Sequence, residues 1–184
     1  LGPELVSFIE NYEYSQINKI YWRNSELDFR SPKFLLNSLK IKSKKNYFVT
    51  KRNASDQRYL RILLNDQLII NEVKTPKVLR ILWDLCKIPD YSKDLDEFHS
   101  RFLKKIFIFL IKEQKIPEIW IKTQLKKIEK KTDKIPELSH KISQIRKWSF
   151  LSFKNEWIDN NEKFQHKVKK IENSLSINLH NQLI

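Results

Sequence analysis

An all-α fold, a multi-helix bundle with a looser and partly irregular N-terminal segment, is what this sequence predicts. Three observations carry that expectation. Apolar residues recur at three- and four-residue spacing along most of the chain after residue 75. Proline follows a hydroxyl residue at Ser31-Pro32 and Thr75-Pro76, the cap-then-proline signature of a helix start. Glycine occurs once in 184 residues, so tight primed hairpin turns lose their usual residue.

In chain order, Pro3 opens a segment running to about Tyr14, and Ser31-Pro32 opens a short helix through Leu39. Between them, Tyr21 to Phe29 (YWRNSELDF) has no clear period. Lys40 to Lys51 is basic and polar apart from Tyr47-Phe48-Val49; it reads as a loop or one short strand and as the best linker. Ser55 or Asp56 caps a helix carrying Tyr59, Leu60, Leu63 and Leu64. Asn65-Asp66 interrupts it, and a short helix follows to Glu72. From Thr75-Pro76 a helix presents Val78, Leu79, Leu82 and Trp83 on one face. It ends near Lys87, because the residue before Pro89 disfavours helical backbone. A long helix from about Lys93 carries Leu95, Phe98, Phe102, Ile106, Phe109 and Leu110 inward. Its IFIFLI end is apolar all round, which predicts the central buried helix. Pro117 opens the next, with Ile121, Leu125 and Ile128 inward and Lys122, Lys126, Lys127 and Lys130 outward. Asp133 caps a helix striped by Leu138, Ile142, Ile145 and Trp148. The last helix carries Phe164, Val168, Ile171, Leu175 and Leu179. This pattern places a boundary near residue 74, with a connecting segment over 1–74 and a helical bundle over 75–184.

Charge and composition bound the function classes. There are 36 Lys+Arg against 22 Asp+Glu, a net charge of +14, and the pI is about 9.7. A polyanion-binding surface fits that balance. So does coding bias toward lysine, since only 8 of the basic residues are Arg. A single glycine excludes a Walker A loop and a dinucleotide fingerprint, each of which needs at least two. Cys86 is the one cysteine, so no internal disulfide forms, and a reducing compartment is expected. No apolar run approaches the roughly 20 residues a membrane span needs. The N-terminal stretch carries Glu4 and Glu10 and no basic n-region, so a signal peptide is not expected. With no Met anywhere, the chain reads as a fragment, a processed product or a trimmed chain.

The residues give no catalytic constellation. His99, His140, His166 and His180 stand outside any metal-ligand spacing and read as helix-surface or satisfied edge histidines. Cys86, among Leu82, Trp83, Leu85 and Ile88, reads as a buried inert thiol. Asp94, Asp96 and Glu97 complement a helix N-terminus. The chain is not expected to do chemistry by itself. Binding is better represented. Trp22, Arg23 and Asn24 put an aromatic, a fork donor and an amide together, suited to base stacking and phosphate contact. The competing account makes Trp22 a groove plug, with Arg23 paired to Glu26 or Asp28. In Arg146-Lys147-Trp148 the Trp fits the core stripe, which leaves the two cations for binding. Lys163, Lys167 and Lys170 form one helical row, either a phosphate-binding row or a solvated face.

At this point the residues suggest a family. TPKVLRILWDLCKIPDYSKDLDEFHSRFLKKIF, Thr75 to Phe107, resembles the C-terminal region of the bacterial and mitochondrial degradosome-type RNA helicases of superfamily 2. So do RKWSFLSFKNEWI, Arg146 to Ile158, the final KVKKIENSLSINLHNQL, and the earlier YWRNSELDF. The most specific element is the pattern of Trp83, Cys86, Pro89 and Asp90; further matches fall at Trp22, Arg23, Asn24, His99, Arg101, Arg146 and Trp148. The resemblance covers roughly residues 4 to 183. It implies an accessory module of an ATP-dependent RNA/DNA helicase, packed on RecA-like motor domains and closing a single-strand channel. It implies no cofactor in this chain, ATP and Mg belonging to a motor whose phosphate loop, DExH box and arginine finger are absent from the sequence. Expected partners are single-stranded RNA or DNA, the motor in cis or trans, and an exoribonuclease; no membrane is expected. The expected location is the bacterial cytoplasm. The residues assigned to nucleic acid are Trp22, Arg23, Asn24, Arg101, Arg146, Lys147, Lys163, Lys167 and Lys170. The alternative is a helical interaction module that recruits a ribonuclease without touching nucleic acid.

Overall fold

The computed structural model describes residues 20–46, 48–50, 54–92 and 96–184. The helix expected from Pro3 to Tyr14 and the helix start expected at Lys93 lie outside them. Among the described residues there are eight helices and two three-residue strands, so the architecture is all-α. The chain parts into two compact units, Leu1–Arg52 and Asn53–Ile184. The division therefore falls earlier than residue 74.

In the first unit, β1 (Ile20–Trp22) and β2 (Phe48–Thr50) pair in parallel, Ile20 opposite Phe48 and Trp22 opposite Thr50. A parallel pair needs a crossover connection, and α1 (Pro32–Ser38) lies within it. Ser31 caps α1 as its sequence predicts, its Oγ accepting from the Phe34 amide at 3.4 Å. Leu35, Ser38 and Leu39 are buried along α1 and its end. The short strand weighed for the lysine-rich stretch is β2. Part of the aperiodic Tyr21–Phe29 stretch is its partner.

The second unit begins with α2 (Ser55–Leu64), α3 (Gln67–Glu72), α4 (Pro76–Cys86) and α5 (Asp96–Lys112), which pack on one another. It continues with α6 (Glu118–Glu129), α7 (Ile135–Leu151) and α8 (Asn161–Leu183), where α7 packs on both neighbours, most extensively on α8. Thr75 caps α4 through its Oγ1, 3.3 Å from the Val78 nitrogen. Asp66 caps α3, accepting from the Leu68 amide at 2.9 Å. Two cap expectations are corrected. The N-cap of α2 is Ala54, with no side-chain bond, rather than Ser55 or Asp56. The N-cap of α7 is Lys134 rather than Asp133; there the Thr132 hydroxyl turns to Glu137 at 2.6 Å.

The core follows the apolar stripes, except that Val78 of α4 and Leu179 of α8, both expected inward, are only half-buried. Leu79, Leu82 and Trp83 of α4, Ile121, Leu125 and Ile128 of α6, Leu138, Ile142, Ile145 and Trp148 of α7, and Phe164, Val168, Ile171 and Leu175 of α8 are all buried. The stripe on α5 is turned by about one residue. Phe98, expected inside, is 56% exposed, while His99 is fully buried with Leu103, Ile106, Phe107 and Leu110. The reason is polar. The His99 Nε2–H donates to the Ile88 carbonyl at 3.1 Å, satisfying backbone that the turn at Pro89 leaves open.

Aromatic rings join the two helix groups. Trp148 of α7 lies 5.5 Å from Phe102 of α5 edge-on, 5.4 Å from Trp120 of α6 and 6.2 Å from Phe164 of α8. These spacings fall in the range where tilted and edge-to-face pairs add to simple burial. The Ile116 amide donates to the Trp157 carbonyl at 2.8 Å and ties the entry of α6 to the α7–α8 connection. Among the described residues no helix is long and apolar enough to cross a membrane.

Candidate nucleic-acid interface

The residues assigned to nucleic acid fall into four places. In the first unit, Arg23 is exposed and Trp22 is half-buried on β1. Asn24 is committed to the fold. Its Nδ2 donates to the Glu26 carbonyl at 2.8 Å and the Ser38 carbonyl at 3.0 Å, and its Oδ1 accepts from the Glu26 amide at 3.2 Å. The Ser38 hydroxyl also accepts from the Asp28 amide at 3.2 Å. This local net fastens residues 24–28 to the end of α1. Asp28 is held by Arg30 at 2.6 Å, and those hydrogen bonds keep its carboxyl below the usual range.

On α5, Arg101 is exposed and pairs with Glu97 one turn earlier. On α7, Arg146 is exposed and reaches Glu172 of α8 at 3.5 Å. Both are surface pairs, worth little individually and exchangeable for a phosphate.

Lys147 corrects the expectation of a free cation. Its side chain is 4% exposed and its Nζ sits 3.0 Å from Asp90 Oδ1, itself 8% exposed. The ammonium also donates to the Ser92 hydroxyl at 3.1 Å. Asp90 collects further donors, Ser92 Oγ at 2.9 Å and Tyr59 Oη at 2.9 Å. His99 Nδ1 lies 3.8 Å away. Burial pushes the Asp90 carboxyl up, but the bonds from Lys147, Ser92 and Tyr59 outweigh it, and the net shift is downward. The cluster thus ties α2, the turn after α4, α5 and α7 together. His99 belongs to this interior, not to a helix surface or edge.

Lys163, Lys167 and Lys170 come together on one flank of α8, and that flank faces α6 across a groove. One hollow of about 370 Å³ is lined by Lys122 and Leu125 of α6 and Lys163, Phe164 and Lys167 of α8. A second, of about 450 Å³, is lined by Glu129, His166, Lys167, Lys170, Ile171 and Leu175. Lys167 borders both. Along α8 the lining runs from Lys163 to Leu175, about 18 Å at 1.5 Å per residue. The floor is apolar and the flanks are charged. The sequence places Lys122 on the outer face of α6 but does not join it to the α8 row, because no spacing within one helix reveals which neighbour it faces. Lys126, Lys127 and Lys130 are exposed beyond it.

The lining carries Lys122, Lys163, Lys167 and Lys170 together with the carboxylates of Glu118, Glu129 and Asp159. Among the described residues no His, Cys, Asp or Glu cluster is placed to hold a metal. Cys86 is buried, which pushes its thiol up and away from reactivity. No family model, curated protein or solved structure matches this chain.

Proposed function

We propose that this chain is the helical C-terminal accessory module of an ATP-dependent RNA/DNA helicase, with the RecA-like motor, its ATP and its Mg outside the sequence. In this reading the groove between α6 and α8 holds single-stranded RNA or DNA by its phosphates and contributes a basic wall to the strand channel. The observation that supports it is the convergence of Lys122 with Lys163, Lys167 and Lys170 from two helices distant in sequence. A row on one helix is equally a solvated face; here lysines of two helices meet over one groove and outnumber its carboxylates, Glu118, Glu129 and Asp159, four to three. Contacts of this kind give affinity without sequence preference. The helicase assignment itself rests on the sequence resemblance, and a bacterial cytoplasmic location goes with it.

The test is charge reversal at Lys163, Lys167 and Lys170 together. All three are exposed, so the fold, followed by circular dichroism, should persist. Binding to single-stranded RNA should fall by at least about tenfold, as expected when several phosphate contacts are lost. A second reading, a module recruiting a ribonuclease or other protein, is favoured by Ile177 and Leu183, which are exposed on the last turns of α8. Unchanged RNA binding in the triple variant leaves only that partner role.

A further inference from the structure

Within the groove, one contact runs across rather than along it. Lys167 Nζ of α8 lies 3.8 Å from Glu129 Oε2 of α6, at the residue that borders both hollows. Of the other carboxylates on the lining, Glu118 pairs with Lys122 within α6 at 2.7 Å, and Asp159 pairs with Lys115 ahead of α6. Lys163 and Lys170 have no ion-pair partner among the described residues. The flanks are therefore not equivalent. Two lysines stand open, one is paired along its own helix, and one is bridged to the opposite wall.

We propose that Glu129 is a gate residue of the groove, a carboxylate that occupies the phosphate position at Lys167 and must be displaced before a strand can run through both hollows. This rests on the reading of the groove as a nucleic-acid site. The physical argument is competition for one ammonium. Both partners are partly solvated, with side chains 43% and 39% exposed, so the pair is weak and opens readily. A single small anion gains only one contact by displacing the carboxylate and still meets its charge. A strand already held by Lys163 and Lys170 on either side brings its phosphate to Lys167 as an intramolecular step, at high effective concentration. The gate thus lets an extended polyanion in and turns away isolated phosphates.

The experiment compares Glu129→Gln with Glu162→Gln in the full chain, using a labelled single-stranded oligouridine and, separately, inorganic phosphate as competitor. Glu162 is exposed in the first turn of α8 and has no ion pair among the described residues. The two variants therefore carry equal net charge, and only the first frees Lys167. Glu129→Gln should tighten oligouridine binding about two- to fivefold, the span expected when a surface ion pair stops competing. Glu162→Gln should change it by less than half as much. The gain should vanish in a Lys167→Ala background, and inorganic phosphate should compete better against the Glu129→Gln chain than against the wild type. Equal gains in both variants, or a gain that survives in Lys167→Ala, would overturn the gate. If the wild type binds steeply with salt and Glu129→Gln binds no tighter, the groove reading stands and the gate falls. If no variant binds at 50 mM salt, both fall together.

Discussion

Lys147→Met is the perturbation that probes the interior most sharply. The substitution keeps an unbranched stem in the α7 position but removes the ammonium 3.0 Å from Asp90. Asp90 is then a nearly buried carboxylate whose remaining donors are the Tyr59 and Ser92 hydroxyls. Removing one partner of a buried pair costs about 3–5 kcal/mol. The two hydroxyls soften the loss, so about 3 kcal/mol is expected for Lys147→Met. For a unit of this size that corresponds to a fall in Tm of about 10 °C, read by thermal unfolding followed by circular dichroism. Replacing both partners, Lys147→Met with Asp90→Asn, should recover most of the loss, because a neutral pair owes no ionic desolvation. The pH dependence gives a second readout. The folded Asp90 carboxyl lies below its ordinary 3.8. Its contribution to stability is therefore present above that pH and is lost as pH falls through the folded value. Without Lys147, burial acts against fewer bonds, and acid unfolding should begin at higher pH. A Tm change under about 2 °C at neutral pH, with an unshifted acid limb, would refute the claim that this pair is a buried tie between α7 and the turn after α4.

Three further outcomes follow from named contacts. Cys86 should react with a thiol reagent at pH 8 at least about a hundredfold more slowly than a free cysteine until the chain unfolds, since burial holds the thiol protonated; fast reaction of the native chain would contradict that burial. Asn24→Ala should remove two donors to backbone carbonyls at about 1–2 kcal/mol. It should speed hydrogen exchange around residues 24–28 while leaving RNA affinity unchanged, so weakened binding with unaltered exchange would restore Asn24 to the interface. Thr75→Ala should cost about 1 kcal/mol by loss of the α4 cap, measured by urea unfolding, and a neutral result would show the Pro76 start suffices alone.

Much of the helical framework is legible in the sequence because it rests on local signals. Ser31-Pro32 and Thr75-Pro76 are caps in the structure, and the stripes on α4, α6, α7 and α8 are buried apart from Val78 and Leu179, which are half-buried. The departures arise where a polar group has tertiary work. Hydrophobic periodicity counts His99 as polar and Phe98 as apolar, and so misplaces the first turns of α5 by about one residue while placing Ile106 and Leu110 inward correctly; the Ile88 carbonyl that draws His99 inward comes from another element. Lys147 reads as surface for the same reason. Lys147 lies on the side of α7 that meets the turn holding Asp90 and Ser92, a side an amphipathic pattern assigns to solvent. The starts of α2 and α7 use Ala54 and Lys134 without side-chain caps, so no capping residue marks them; at α7 the mark is Pro136 in the first turn. For the groove, the lysines of α6 and of α8 are each legible as one face of a helix, but that Lys122 faces the α8 row is not, because pairing between helices is a property of the packing.

The most direct test of the proposed function is binding of the intact chain to labelled single-stranded RNA between 50 and 200 mM salt. Four contacts, from Lys122, Lys163, Lys167 and Lys170, at a slope of about −0.7 each, predict a fall in affinity of about fiftyfold across that range. Reversal of the three α8 lysines should flatten the slope to roughly one contact. Absent binding at 50 mM, or an affinity indifferent to salt, would contradict the account and leave the groove's lysines without a polyanion to hold.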